Sequence, residues 1–468
     1  MAKIKINEDI FRTYDIRGVN ETDLNEETVE AIGKGFGTYL TQHGTKDCLV
    51  GRDTRLTSAR FQKTITQALL KTGCNVYDIG LTLASSLYYA RHFHKIDGAI
   101  MVTASHNPPD YNGFKLCQGI NAIVEEEIQK LKRIILSGKF AEGQGKLINL
   151  PQANDEYYRA IKERVKVKKP LKVVVDCGHS TPALFIPKFL EDLGCQVITI
   201  HGEIDSSFPA GVPDPVNPEF CKHTMEAVLK EKADFGVVMD ADGDRAGFVD
   251  EKGRMWMGDI ILDLLLRDML PQQKGAKVIV EIKDSEIVVE DTQRLGGIPI
   301  FWKTGHALLD HKVYEEKALL CGEMSCHYWV TKDWYCFDDA VMAMTQLLRI
   351  VSESDKTFGE IIDEIPKYPS TPEYRIACPE EKKEEIVEKA VQYFKNKCSK
   401  AITIDGIRGY IYDGWFLFRK SNTQPILSIR CEAKTQAGLE KIKKFIKAHI
   451  DTYKPDIDLD WTRQYDIK

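Results

Sequence analysis

The sequence predicts an α/β protein built from three related α/β domains, followed by a C-terminal α+β domain. Two observations carry that expectation. One β-loop-α-β unit recurs three times, and each copy leads to a further apolar run with a polar tip. After a proline-rich stretch, Ile365 to Arg375, the pattern changes to a charged helix, several strands and a last helix.

The repeats read "CLVGRDTR…KTGCNVYDIG" (Cys48 to Gly80), "KVVVDCGHS…DLGCQVITIHG" (Lys172 to Gly202) and "KVIVEIKDS…RLGGIPIFWKTG" (Lys277 to Gly305). Each opens on a β-branched run and a polar loop. A helical segment follows and ends in glycine, where a left-handed C-cap carries no Cβ penalty. A short apolar strand returns, as a parallel crossover requires. The third runs are "GAIMVTASHNP", "DFGVVMDADGDR" and "ALLCGEMSCHYW". Each presents a loop at the carboxyl end of a strand, where open parallel sheets bind ligands. The helical stretch "NDEYYRAIKERVKVKKP" leads into the second unit, and the turn-like "DEKGRMWMGD" into the third. The expected domains are 1–150, 151–253, 254–366 and 367–468.

Composition narrows the function classes. The chain has 468 residues, 43% hydrophobic, with a net charge of -6. At roughly 100–200 residues per domain, that length suits three or four domains. There is no basic stripe for nucleic acid. The start, MAKIKINEDI, is too polar for a signal-peptide core, and no run of 18 apolar residues suggests a membrane span. The twelve cysteines are scattered with no disulfide framework, which fits buried thiols in a reducing cytoplasm. Cys321, Cys326, His327 and Cys336 match no standard zinc spacing.

The loops carry the chemistry. In "MDADGDR", Asp240, Asp242 and Asp244 alternate after an apolar strand, and Gly243 permits a tight bend. Carboxylates in that pattern suit one hard cation, Mg²⁺ or Ca²⁺. An EF-hand is disfavoured, because its sixth position would be Arg245 instead of glycine. A solvated acidic turn is the bland alternative, at the cost of mutual repulsion. In "TASHNP", Ser105 precedes His106, and a triad-like hydrogen bond between such neighbours is not expected. The G-x-S-x-G elbow is absent. A serine near a cation and basic side chains can instead accept and donate a phosphoryl group. Lys115 in "NGFK" and Arg245 are the basic candidates. Glu323, Ser325 and His327 in "GEMSCHYW" suit paired sugar hydroxyls. Lys283, Lys303 and His306 lie in neighbouring loops, though such residues singly are more often surface or core groups. In "FRKSNTQP", Arg419, Ser421, Asn422 and Thr423 suit a phosphate cradle, and as a lone motif they suit an ordinary polar turn equally well.

Five motifs in order, "FRTYDIRG", "TASHNP", "DADGDR", "GEMSCH" and "RKSNTQP", resemble the α-D-phosphohexomutase superfamily, most closely its phosphomannomutase/phosphoglucomutase branch. The resemblance spans the chain. It implies four domains with mixed sheets around a central cleft. It implies interconversion of hexose 1- and 6-phosphates of mannose or glucose, through a phosphoserine and a hexose 1,6-bisphosphate. Ser105 would be that phosphoserine, standing exposed in the cleft, and with Asp240, Asp242 and Asp244 it would bind Mg²⁺ beside Arg245. Glu323 and Ser325 would read sugar hydroxyls. Arg419, Ser421, Asn422 and Thr423 would hold the phosphate that is not being transferred. Tyr14, Arg17, Lys283, His306 and His327 would line the cleft, with Lys115 and His306 the candidates for proton transfer. The expected partners are small hexose phosphates, with neither nucleic acid nor membrane. Two positions depart from the usual motifs: Cys326 replaces a glycine and Ala241 another. A phosphoglucosamine mutase of the same superfamily is the rival enzyme, opposed by "NPPDYNGFK" and by Met324. An inactive sugar-phosphate-binding regulator is the rival of another class, opposed by the intact serine, aspartates and Arg245.

Overall fold

The computed structural model describes residues 6–421 and 425–462. Four sheets succeed one another along the chain, and the first three share one plan. In the first, Asp47–Arg52 lies between Asn75–Leu81 and Gly98–Val102, all parallel. In the second, Lys172–Asp176 lies between Gln196–Ile200 and Phe235–Met239, again parallel. In the third, Lys277–Glu281 lies between Ile298–Trp302 and Leu320–Gly322. The last parallel strand of each trio then turns straight back into an antiparallel partner. Those partners are Tyr111–Gln118, Ala246–Asp250 and Tyr328–Val330. The polar tips "TASHNPPD", "DADGDR" and "EMSCH" are these return loops, so each side-chain set is fixed at both ends by a sheet.

The repeat is visible in the backbone. Gly73, Gly194 and Gly296 follow the first helix of each unit and take φ of 90°, 88° and 85°, a region closed to most side chains. Helix starts are capped by the expected residue types. Asn25 Oδ1 accepts from Thr28 N, Ser285 Oγ from Ile287 N, and Thr357 forms a reciprocal capping box with Glu360.

The fourth sheet is wholly antiparallel, in the order Tyr374–Ala377, Ile426–Ala433, Gly414–Lys420, Ile407–Ile411, Lys400–Ile402. The helices Glu380–Lys395 and Gln436–Ile450 complete it. Its first strand begins inside the proline-rich stretch read as a connector: the prolines stop at Pro372, and Tyr374 and Ile376 then alternate into the core. One apolar core runs through the first three units, whereas the fourth has its own. A polar joint ties the fourth to the third. The Arg408 guanidinium lies 3.5 Å over the Trp415 ring and donates to the carbonyls of Ile282 (3.0 Å) and Asp284 (2.7 Å). Among the described residues no helix is long and apolar enough to cross a membrane.

His92, on the helix Ala84–Phe93, stacks on Tyr335 and Phe337 of the third unit at centroid separations of 5.1 and 5.7 Å. Burial, and then Arg91, lower its pKa to about 4. Its neutral form is the one that packs. The stability it contributes is therefore present above pH 6.5 and lost as the pH falls from 6.5 towards 4. The loss should be on the order of 2 kcal/mol, allowing for partial exposure. His92→Gln should show a smaller drop in melting temperature between pH 7 and 4.5 than the parent; equal drops would place the acid sensitivity elsewhere.

Candidate active site

The return loops of the first three units meet at one buried site, and the strand residue Arg430 of the fourth reaches Met324 on the third unit's loop. Ser105 sits at the tip of the first return loop with φ of 47°. Its amide donates to Thr103 Oγ1 (2.9 Å). Arg55, at the end of the neighbouring strand's loop, fastens the rest. Its guanidinium donates to the carbonyls of Ser105 (2.6 Å), Asn107 (2.6 Å), Pro108 (2.7 Å) and Tyr111 (3.1 Å). Arg17 donates to Asn107 Oδ1 (2.5 Å) and to Asp15 (2.6 Å). Ser105 Oγ donates to Asp240 Oδ2 at 2.6 Å.

Two expectations about Ser105 are corrected. It is buried, only 1% exposed, because the loop that Arg55 holds presses it against Asp240 of the second unit. Its Oγ also lies 3.1 Å from His106 Nδ1. The left-handed backbone at Ser105 folds the two neighbouring side chains towards each other, which an extended strand tip would not.

Asp240, Asp242 and Asp244 are all buried, and each offers an oxygen within 4.8 Å of the others. Among the described residues, Asp242 Oδ1 and Asp244 Oδ1 have neither a hydrogen-bond nor an ion-pair partner. Burying such groups unpaired is costly, and an all-oxygen donor set of this kind fits a hard cation. The Lys115 ammonium partly offsets the charge: it lies 2.7 Å from Asp242 Oδ2 and pairs with Asp244. Burial pushes the Lys115 pKa down, but Asp242 and Asp244 more than reverse that, and it stays charged. Burial, then Asp244 and Asp242, push the Asp240 carboxyl well above its ordinary range. Asp244 is held well below despite its burial, by Lys115, His327 and His306.

Arg245 links this cluster to the third unit. Its Nε donates to His327 Nε2 at 3.0 Å, and His327 Nδ1 is 2.8 Å from Asp338 Oδ2. His327 is thereby held between a guanidinium and a carboxylate. His306 stacks on His327 at 5.0 Å and meets the edge of Tyr14 at 5.1 Å. Burial, then His327 and Lys115, hold His306 well below its ordinary pKa, and neither of its ring nitrogens has a hydrogen-bond partner. Burial, Asp15 and Glu323 push the Tyr14 phenol up to about 12.

Glu323 is fixed by Gly305 N on Oε1 (2.9 Å) and by Ser325 Oγ on Oε2 (3.1 Å). Cys326 adopts φ of 70°. The cysteine thus accepts the backbone of the glycine it replaces, at a cost of roughly 1–2 kcal/mol. Lys283 lies between Glu281 (3.2 Å) and Glu373 (3.7 Å). Arg419 is buried and pairs through Nε with Asp405 (2.9 Å), while its Nη2 has no partner among the described residues. The Ser421 carbonyl accepts from Lys383 Nζ (3.0 Å). Asn422 and Thr423 lie outside the described residues. Lys303 pairs with Glu125 (3.0 Å), away from the carboxylate cluster. The cysteines and histidine tested for zinc spacing form no ligand group among the described residues.

The sequence reading missed Arg55 and Asp338. Arg55 stood in the quoted "GRDTR", but its four carbonyl partners are about fifty residues away. Asp338 left a local signal: "FDDA" has two acids where a helix cap needs one. Asp339 is the cap, accepting from Met342 N (2.9 Å), and Asp338 is the spare that orients His327.

Comparison with known proteins agrees along the whole chain. Residues 8–142, 155–253 and 257–368 match the phosphoglucomutase/phosphomannomutase alpha/beta/alpha domains I, II and III, and 373–449 match the C-terminal domain. A phosphomannomutase/phosphoglucomutase of Pseudomonas aeruginosa is 37% identical over 434 residues, covering 93% of this chain and 94% of that one. A phosphoglucomutase of Neisseria gonorrhoeae is 35% identical, covering 96% and 98%. The crystal structure of a family protein from Burkholderia thailandensis superposes with a TM-score of 0.92 at 32% identity, covering 97% of this chain and all of that one. With four domain models matched in order along it, the chain belongs to the phosphoglucomutase/phosphomannomutase family.

Proposed function

We propose that the chain interconverts hexose 1-phosphates and hexose 6-phosphates of mannose and glucose through a phosphoserine at Ser105. The observation that carries this reading is the Ser105 hydroxyl, 2.6 Å from Asp240, where the serine loop of the first unit meets the aspartate loop of the second. We assign the units 1–150 to the phosphoserine, 151–253 to the metal, 254–366 to the sugar and 367–468 to the distal phosphate. The catalytic residues are Ser105, Lys115, Arg245, His306 and His327. Tyr14, Arg17, Lys283, Glu323, Ser325, Arg419, Ser421, Asn422 and Thr423 bind substrate.

Each side chain has a task that its surroundings support. The substrate hydroxyl attacks the phosphorus of phosphoserine; an O–P bond forms to the sugar and the Ser105 Oγ–P bond breaks. His306, held neutral by its burial and with Nδ1 3.5 Å from Asp338 Oδ2, takes the hydroxyl proton. Lys115, held charged by two aspartates, keeps a proton available for the departing Ser105 oxygen. Arg245 and Arg17 counter phosphoryl charge. Ser105, Asp240, Asp242 and Asp244 would hold Mg²⁺, which supplies charge neutralisation at the transferring group. The product of the first transfer is a hexose 1,6-bisphosphate, which turns end for end before Ser105 recovers the other phosphate. All twelve cysteines are free thiols, in keeping with a reducing, cytoplasmic setting.

The Nη2 of Arg419 is suited to the phosphate that stays behind. Arg419→Ala should raise KM and lower kcat together, because remote binding energy positions the reacting hydroxyl. Wild-type kinetics in that variant would put the clamp elsewhere.

Sugar scope tests the function directly. Glu323 and Ser325 are set to grip two adjacent hydroxyls, O3 and O4, which keep their places when the C1 and C6 ends exchange. C2 has no such partner. Glucose 1-phosphate and mannose 1-phosphate should therefore turn over within about tenfold of each other, a gap of about 1.4 kcal/mol. Galactose 1-phosphate, inverted at C4, should be far poorer, since it leaves a buried carboxylate oxygen unpaired. Steady-state assays on these three and glucosamine 1-phosphate decide; a strong preference for the amino sugar would overturn the substrate assignment.

A further inference from the structure

A second polar cluster lies on the metal-loop unit, outside the active site. Asp176 ends the strand Lys172–Asp176 and is fully buried. His201 follows the adjacent parallel strand Gln196–Ile200. Their side chains meet, with His201 Nδ1 2.9 Å from Asp176 Oδ1. The carboxylate also accepts from Gly178 N (3.0 Å) and, on Oδ2, from Thr224 Oγ1 (3.1 Å), so it is held rigidly. His223 reaches in from the helix Pro218–Glu231, its ring edge-on to His201 at 5.0 Å. A third imidazole, His179, lies 4.9 Å from His201; its Nδ1 is 2.9 Å from the Glu203 carbonyl, so Nε2 is the nitrogen left over.

We propose that Asp176, His201 and His223 form a binding site for one borderline divalent cation of the zinc class, distinct from the Asp240–Asp242–Asp244 triad. The three residues each offer a ligand atom, and these atoms lie within 4.8 Å of one another. In a tetrahedral site with bonds of about 2.0–2.1 Å, donors stand about 3.3 Å apart. Closing that gap calls for rotation of His223, which is exposed, and of the half-buried His201. Two imidazoles and a carboxylate are the donors that zinc, nickel and copper prefer, whereas the all-carboxylate triad suits magnesium. The two sites therefore sort cations by donor chemistry.

A purely structural Asp176–His201 tie is the competing account, and it gives His223 no part. Among the described residues His223 makes no hydrogen bond; its contacts are the rings of His201 and Phe220. The cluster also borders the joint to the phosphoserine unit. Ser206 Oγ, on the loop after His201, donates to the Thr54 carbonyl (2.7 Å), and the Phe208 ring lies 5.2 Å from the Arg55 guanidinium. A cation bound here would stiffen the segment that packs against Arg55.

The test is titration of the full-length protein with Zn²⁺ in a large excess of Mg²⁺, read by calorimetry and by the visible spectrum of Co²⁺ substituted for Zn²⁺. Wild type should bind one equivalent. His223→Ala should weaken that binding by about tenfold or more while keeping wild-type mutase activity in Mg²⁺, and Asp242→Asn should retain the equivalent. His223→Ala alters an exposed side chain, so it decides the matter even if His201→Ala does not fold. Absence of Zn²⁺ binding in wild type, an unchanged affinity in His223→Ala, or loss of the equivalent in Asp242→Asn would each overturn the proposal.

Discussion

Ser105→Ala is expected to lower mutase turnover by about 10⁴-fold or more, the scale on which loss of a covalent nucleophile acts. No neighbour can substitute. His106 lies on the same loop, but its pKa is pushed far down by burial and by Arg245 and Arg17, and Asp240 is committed to the cation cluster. Folding should survive. The hydroxyl makes two polar contacts, to Asp240 and His106, each worth about 1–3 kcal/mol. In a chain of this length that moves the melting temperature by only a few degrees. Adding hexose 1,6-bisphosphate should not rescue the variant, because there is no oxygen for it to phosphorylate. Turnover within tenfold of wild type would remove the phosphoserine from the mechanism.

Asp242→Asn carries the second large effect, and it separates a metal role from a structural one. Asp242 has a buried Oδ1 with neither a hydrogen-bond nor an ion-pair partner among the described residues, and it crowds two other carboxylates. Without bound Mg²⁺, neutralising it relieves carboxylate repulsion but removes one of the two partners of Lys115, which keeps Asp244, so the variant's melting temperature should lie close to that of wild type. Mg²⁺ should raise the wild-type melting temperature; at a hundred times its dissociation constant the gain is about 2.7 kcal/mol. The variant should lose that shift, and its turnover should fall by about 10²–10³-fold, as for removal of an electrostatic stabiliser. A chelator should bring wild type to the same level, and Mg²⁺ should restore it. Full activity in excess chelator would contradict the account.

The parts of the fold legible in the sequence are those set locally. The helix-ending glycines at 73, 194 and 296 and the β-branched runs before them announce three copies of one unit. The tips "TASHNP", "DADGDR" and "GEMSCH" announce loops with chemistry. The antiparallel return after each tip is less legible, because its strand in the third unit has only three residues, Tyr328–Val330, too few for a periodicity. Closure of the site is not legible at all. Burial of Ser105 and the grip of Arg55 on the serine loop depend on pairs separated by fifty residues or more. The Ser105–His106 contact depends on one backbone angle that a serine takes only under tertiary constraint. Asp338 was hidden by the ordinary capping role of the acid beside it.

The reading as a whole rests on a phosphoryl group that resides on Ser105 and moves to sugar. Intact-mass and peptide mass spectrometry of the purified protein, before and after mixing with glucose 1-phosphate, follow that group directly. The account predicts a protein fraction heavier by one HPO₃, mapped to Ser105 in the peptide containing "TASHNP". That mass should fall on mixing as hexose 1,6-bisphosphate appears in equal amount. A protein that turns over hexose phosphates while its Ser105 peptide stays unmodified throughout would contradict it.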